Sequence, residues 1–266
     1  MTTGTAAPES YYERTGEHGF KPTAHAGGAW NADEQHFSPL AGLVVHAIDD
    51  HLARRPEPPA LARISYDILG RIALDACEIT VETLRPGRTI ELLEANVVIG
   101  GRTVVRARAW LLATLDSSSV ADSPHPRLPA PEELDVWAMD EEWSGGYVSS
   151  IEVRRTPPSR RGRTKAAWVS SPLALVAGEP VSALASYMAL VDTANGIAVQ
   201  QDPTAWMFPN LDLTVHLHRP PRGPWTGLDT TVTFGPSGQG LTSSVLHDID
   251  GPVGHAEQIL TVRPLS

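Results

Sequence analysis

The sequence predicts an α+β fold in which one plan, a helix followed by antiparallel strands, is used twice. Three observations carry this. Each half holds one apolar, amphipathic helical segment with a proline near its start. Each helix is followed by strand-like segments punctuated by turn glycines. A serine- and proline-rich stretch, Ser117 to Pro131, separates the halves and reads as a linker.

Taken in order, the residues before about Phe20 lack helical or strand periodicity and read as a loosely held lead-in. Pro39 opens the first helix, LAGLVVHAIDDHLARR, where a missing N–H costs nothing. The strands ARISYDILGRI, ALDACEITVETL, TIELLEANVVI and RTVVRARAWLLATL follow, with Gly100-Gly101 at a hairpin turn. In the second half Pro180 opens a helix over VSALASYMALVDTANG, ended by Gly196. NLDLTVHLHRP follows, with Leu211, Leu213, Val215 and Leu217 on one face and Asp212, Thr214, His216 and His218 on the other. GLDTTVTFG, GLTSSVLHDID and GPVGHAEQILTV complete the half, with a turn at Asp250-Gly251. A helix plus a long meander, repeated, separates this chain from parallel α/β folds. A curved antiparallel sheet around one apolar helix is the hotdog arrangement, so the expectation is a tandem hotdog of two antiparallel sheets, each wrapped around one central helix. The expected boundaries are 1–116 for the first module with its flexible lead-in, 117–138 for the linker and 139–266 for the second module. Exposed sheet edges favour pairing, so self-association of the chain through its sheets is also expected.

Composition bounds the function. The 266 residues are 41% hydrophobic, enough for a real core. No apolar run approaches the roughly 20 residues of a membrane helix, and the N-terminus has no basic start followed by an apolar block. The expected compartment is the cytoplasm, with no membrane partner. The net charge of −10 argues against nucleic acid as a partner. The basic run Arg154, Arg155, Arg160, Arg161, Arg163 and Lys165 reads as a solvated hairpin loop, or else as a patch for the phosphates of coenzyme A. Cys77, the one cysteine, excludes an internal disulfide and reads as a core residue. His216 and His218 share a strand face without further ligands at metal spacing, so no metal is expected; no phosphate-loop or dinucleotide pattern is present, and no cofactor is expected.

One residue is out of place. The apolar stripe of the second helix runs Val181, Leu184, Ala185, Met188, Ala189, and its next position is Asp192. Burying a carboxylate is costly unless it is hydrogen-bonded, and an acid at a helix C-terminus opposes the dipole, so capping does not account for it. Asp192 is a candidate working group. The corresponding stripe of the first helix, Leu40, Leu43, Val44, Ala47 and Ile48, continues to His51, read as a histidine satisfied in the core or between the halves, or as a second base. His46 and Asp50 read as a solvated i, i+4 pair.

The segments TAHAGGAWNADEQHFSPLAGLVVHAIDDHL, VETLRPGRTIELLEANVVIGGRTVVRARAWLLA and FPNLDLTVHLHRPPRGPWTGLDTTVTFGPSGQGLTSSVLHDIDGPVGHAEQILTV resemble the bacterial double-hotdog thioesterase-like family related to type II acyl-CoA thioesterases. The resemblance runs from about Phe20 to Val262 and is most specific at LHRP (Leu217–Pro220) and HAEQ. It implies hydrolysis of acyl-CoA or a related acyl thioester by aspartate-assisted water attack. In that family an aspartate on the second helix, an asparagine or threonine at the head of the next strand and a glutamine on the last strand together hold the water, and the resemblance assigns these roles to Asp192, Asn210 and Gln258. Ala109 and Arg63 fall at the first-half counterparts of Gln258 and Asn210, so a single site, in the second half, is expected. A glycine-rich turn in relatives is replaced after Gln35-His36 by Phe37-Ser38-Pro39, which argues against close backbone approach of a ligand there.

Two other classes compete. A non-catalytic acyl-CoA or lipid-binding hotdog protein would use the same groove without turnover. A hydratase or dehydratase would pair the acid with a histidine, and DTANGIAV contains none. Trp206 and Phe208 read as core or interface residues, with an acyl tunnel as the other possibility.

Overall fold

The computed structural model describes residues 9–156 and 164–265, with only the backbone of Thr164 and Lys165. The first half comprises β1 (Ser10–Arg14), β2 (Gly19–Pro22), α1 (Phe37–Leu52), β3 (Ala60–Ile68), β4 (Cys77–Arg85), β5 (Ile90–Ile99) and β6 (Arg102–Leu112). The second comprises β7 (Asp135–Val136), β8 (Glu152–Arg155), β9 (Thr164–Ser170), β10 (Ala174–Val176), α2 (Ala183–Val191), α3 (Ala194–Ile197), β11 (Trp206–Met207), β12 (Asp212–Leu217), β13 (Thr226–Phe234), β14 (Gln239–Asp248), β15 (Gly251–Thr261) and β16 (Arg263–Pro264).

The repeat is present, but the two expected sheets are one. Fourteen strands run in the order β10-β1-β2-β4-β5-β6-β3-β12-β15-β14-β13-β9-β8-β7. The halves join where β3 and β12 pair antiparallel, Ile64 opposite Val215 and Tyr66 opposite Leu213. Joining removes two open edges, each a row of unpaired N–H and C=O groups. All four of these facing side chains are buried, so the seam is continuous with the core.

The lead-in is also more ordered than expected. β1 pairs with β2 and, in parallel, with β10 of the other half. Tyr11 and Tyr12 are buried there, and the Tyr11 hydroxyl meets those of Ser150 and Ser171 at 2.8 Å each. Burying two large aromatics offsets the entropy of ordering a five-residue strand.

The helices lie against one another beneath the sheet and run antiparallel. Ser182 donates to Asp49 at 2.6 Å near one end, and His36 approaches Asp192 at the other. Between them, Gly42 meets Ala185 and Ala189 so closely that a Cβ on Gly42 would stand 2.6 Å from the Ala185 carbonyl oxygen. Small residues on both helices allow this approach. Packed between the sheet and α2, α1 is apolar and buried nearly all round. That corrects the reading of His46. It is buried rather than solvated, and its Nε2 lies 3.0 Å from Glu179, which Arg14 binds along with Asp50. His51 in turn lies exposed near Thr83 rather than in the core, and the neighbouring Leu52 takes the buried position at the end of α1.

Other expectations are refined. α2 begins after the Ser182 cap, whose hydroxyl accepts from Ala185 N at 3.0 Å. It stops at Val191, and Gly196 lies inside α3 instead of ending the helix. Leu213, Val215 and Leu217 are buried, but Leu211 precedes β12 and is exposed. Cys77 is buried. Within LHRP, Arg219 grips both carboxylate oxygens of the buried Asp248 at 2.6 Å. Arg154 and Arg155 lie over Trp225 and Trp137; Arg160, Arg161 and Arg163 fall outside the described residues. No helix among the described residues is long and apolar enough to cross a membrane.

Candidate active site

The antiparallel crossing places the start of α1 beside the end of α2, and a cavity of about 380 Å³ opens there. Asp192 is buried in its wall, at the turn that joins α2 to α3. Asn210, in the loop before β12, donates to Asp192 Oδ1 at 2.8 Å and also to the Asp212 carbonyl at 3.0 Å. Gln258, on β15, donates to the same Oδ1 at 2.7 Å. Two residues distant in sequence thus converge on one carboxylate oxygen of Asp192. Asn210 and Asp192 line the cavity; Gln258 is fully covered behind them and is not among its lining residues.

Burial pushes the Asp192 carboxyl up to about 7, against the two amide bonds, which lower it. Its other oxygen, Oδ2, lies 3.8 Å from His36 Nδ1. His36 caps α1, its Nδ1 accepting from Ser38 N at 3.1 Å, and that bond leaves its ring hydrogen on Nε2. The ring stacks on Tyr147, with centroids 4.1 Å apart, and burial holds the imidazole down to about 3. The Tyr147 hydroxyl is 2.6 Å from that of Thr193.

The cavity is thus lined by both halves, while the three expected site residues, Asp192, Asn210 and Gln258, all come from the second. The segment Gly27-Gly28 seats on Gly145-Gly146; a Cβ on Gly146 would stand 1.9 Å from the Ala24 carbonyl oxygen. This contact brings Trp30 and His36 of the first half against Trp143 and Tyr147 of the second. His36 and Phe37, at the turn where Phe37-Ser38-Pro39 replaces a glycine-rich segment, both line the cavity. Ala109, the expected counterpart of Gln258, is buried and has no polar side chain. Sequence reasoning missed His36, Tyr147, Trp30 and Trp143. A histidine followed two residues later by Ser-Pro at a helix start was the available signal for His36; the aromatic residues sit in loops without periodicity. Phe208 is core, meeting Trp30 and Trp143 edge-on, and Trp206 is partly exposed. The described residues contain no cluster of histidine, cysteine or acidic side chains arranged to hold a metal.

Two family descriptions match. The N-terminal domain of acyl-CoA thioesterases matches residues 26–112 and the C-terminal domain of acyl-CoA thioesterases matches residues 131–262. The chain belongs to the acyl-CoA thioesterase family. No curated protein sequence matches it significantly. Solved structures similar to this member of the family include a protein of unknown function with a hot dog fold from Alicyclobacillus acidocaldarius (TM-score 0.73, 13% identity, 95% of this chain and 96% of that one). Another is an acyl-CoA thioesterase II from Mycobacterium marinum (TM-score 0.66, 17% identity, 96% and 95%). A third is a tesB protein from Mycobacterium avium subsp. paratuberculosis (TM-score 0.64, 14% identity, 95% and 96%). At these identities the likeness carries the hotdog-type α+β fold, and it extends over nearly the whole of each chain.

Proposed function

We propose that the protein hydrolyses acyl-CoA or related acyl thioesters, with Asp192 as general base for an attacking water. The observation that carries this reading is the clamp on one carboxylate oxygen: Asn210 and Gln258 both hold Oδ1, leaving Oδ2 to face His36 at the cavity. A water bound at Oδ2 is oriented toward a thioester carbonyl in the cavity. Its oxygen attacks the carbonyl carbon and its proton passes to Oδ2. The tetrahedral adduct expels the thiolate as the C–S bond breaks, and Asp192 returns the proton to sulfur. The products are a carboxylic acid and a thiol, and no covalent enzyme intermediate is formed. A carboxyl with a pKa of about 7 suits both proton transfers near neutral pH.

In this scheme only Asp192 touches the reacting water. Gln258, away from the cavity, is a positioning residue, and Asn210 positions the carboxylate from the cavity wall. His36, neutral and with its hydrogen on Nε2, is a donor available to the substrate. The test is thiol release from a panel of acyl-CoA thioesters by purified protein, with Asp192→Asn alongside. Cleavage of a panel member that is lost in a folded variant upholds the reading. Binding of acyl-CoA by calorimetry with no thiol release over hours would instead make the protein a binding module.

A further inference from the structure

The segment between β6 and β7 lies across the second half's part of the sheet. The His125 and His255 rings meet edge to face, 5.0 Å apart, and Arg127 packs against the backbone at Gly251. The Pro129 carbonyl accepts from Trp168 Nε1 at 2.8 Å, and the Pro131 carbonyl from Arg154 Nη1 at 3.4 Å. His255 is on β15 and Trp168 on β9, three strand spacings apart, or about 14 Å. The four residues from His125 to Pro129 reach about 14 Å fully extended. The segment therefore takes a short route over β14 and β13, which lie between.

His247 sits under this crossing. Register aligns Trp168, Gly227 and His247 in one row across β9, β13 and β14. Thr226 bonds to the Tyr187 carbonyl of α2, so the row one residue further on faces away from the helices. On that outward face His247 is nevertheless only 1% exposed and Trp168 2%. Gly227 makes room for both: a Cβ there would stand 2.6 Å from the Trp168 ring and 2.7 Å from His247 Cβ. Neither ring nitrogen of His247 has a hydrogen-bond partner. A buried imidazole without partners is far less costly neutral than charged.

The groups around it offer no free acid to a second proton. Asp248, next on β14, is gripped by both Arg219 terminal nitrogens and also accepts from Arg222 N and Asp250 N. The crossing segment brings His125, β15 brings His255, and the loop after β12 brings Arg219, all close enough to act on His247. His218 stands in the same group, near His125 and His255. Asp229 of β13 faces His125, and its own carboxyl is pushed up by burial. From α2, the Tyr187 hydroxyl is spent on the His247 carbonyl. Burial first, and His125 next, hold the His247 imidazole down from 6.5 to about 4.

We infer that residues 113–134 form an acid-released strap, in which protonation of His247 breaks the Pro129–Trp168 contact and uncovers the outer face of β13 and β14. With the strap docked, His247 takes up a proton only near pH 4; with the strap released, it does so at its ordinary 6.5. Docking is therefore complete above about pH 6.5 and weakens as the pH falls toward 4. The inference stands apart from the hydrolase reading and needs no substrate.

The experiment follows the Trp168 indole hydrogen by 15N NMR, its signal assigned by its absence in Trp168→Phe. Its exchange rate at pH 8 and pH 5 is divided by that of a free indole at the same pH, and backbone amides of β5 and β6 serve as the internal reference. The expected result is exchange about 30-fold faster at pH 5, the shift in the docking equilibrium for a group that moves between these two pKa values, with the reference amides unchanged. In His247→Gln, of similar length and neutral at every pH, the ratio is expected to fall to near one; His247→Met serves in its place if that variant does not fold. Equal exchange at the two pH values overturns the inference. So does equal acceleration of the reference amides, which marks global unfolding, and so does a ratio that persists without His247.

Discussion

His36 Nδ1 and Asp192 Oδ2 face each other at 3.8 Å, yet they do not form an ion pair. Burial moves the two groups in opposite directions, the imidazole down to about 3 and the carboxyl up to about 7. Nδ1 is already engaged by Ser38 N–H, so the lone pair that faces Asp192 is not free to take its proton. The acid and the histidine therefore act separately.

A pH dependence follows. As a base, Asp192 works only when ionised, so kcat/KM is expected to rise with pH through about 7 and then level off. His36, neutral from about pH 4 upward, adds no second limb. A pH profile of thioester cleavage between pH 5 and 9 reads this directly; a bell with a falling limb near neutrality would count against the assignment.

Asp192→Asn separates catalysis from stability. The folded carboxyl, at about 7, holds its proton more tightly than the unfolded one, at 3.8. Its contribution to stability is therefore full below about pH 4 and is lost as pH rises through about 7. Asparagine keeps the oxygen that Asn210 and Gln258 bind but carries no charge. The variant is expected to lose at least about 100-fold in kcat and to melt at the same temperature or higher at pH 8. Thermal melts at pH 5 and pH 8 beside the activity assay check both halves of this.

Gln258 donates to Oδ1 and does not line the cavity, so the proposed reaction uses it only through Asp192. Its bond lowers the Asp192 pKa. Gln258→Leu is expected to reduce kcat by about tenfold or more with little change in KM. The rising limb of the pH profile should also move to higher pH. A changed KM with an unmoved limb would assign Gln258 to substrate binding instead.

Gly42 sets the distance between the helices that carry the site. Gly42→Val would drive its side chain into the Ala185 carbonyl and the Ala189 methyl. Overpacking of this kind costs about 1–3 kcal/mol. Because the same crossing brings His36 to Asp192, activity is expected to fall together with the melting temperature. Ala189→Gly, which opens space on the facing helix, should recover part of both in the double variant; absence of recovery would mean that the contact does not set the geometry.

Several features could be read before any coordinates. The repeat of helix and strands followed from local periodicity, and α1 and β3 to β6 lie close to where alternation and turn glycines put them. Asp192 stood out because a carboxylate on an apolar stripe has to be accounted for, and Asn210 and Gln258 came from the family resemblance. His46 was misread for a specific reason: an i, i+4 His/Asp pair is ordinarily a surface feature, and only the burial of α1 on nearly all sides, with Glu179 and Arg14 arriving from elsewhere, makes it an interior one. The lead-in was misread because the partners of Tyr11 and Tyr12, including β10, lie in the other half.

What the sequence by itself determined are the quantities set by neighbours along the chain: the helix faces, the strand alternation, the hairpin turns and the anomalous acid. What only the tertiary structure decided are the meetings of residues far apart: the single continuous sheet, the Gly42 crossing, the seat of Gly27-Gly28 on Gly145-Gly146, and the joining of His36 and Trp143 to the Asp192 cavity. The physical reason is that local periodicity records which side of a segment is buried. It does not record against what, and the chemistry of this cavity resides in that second fact.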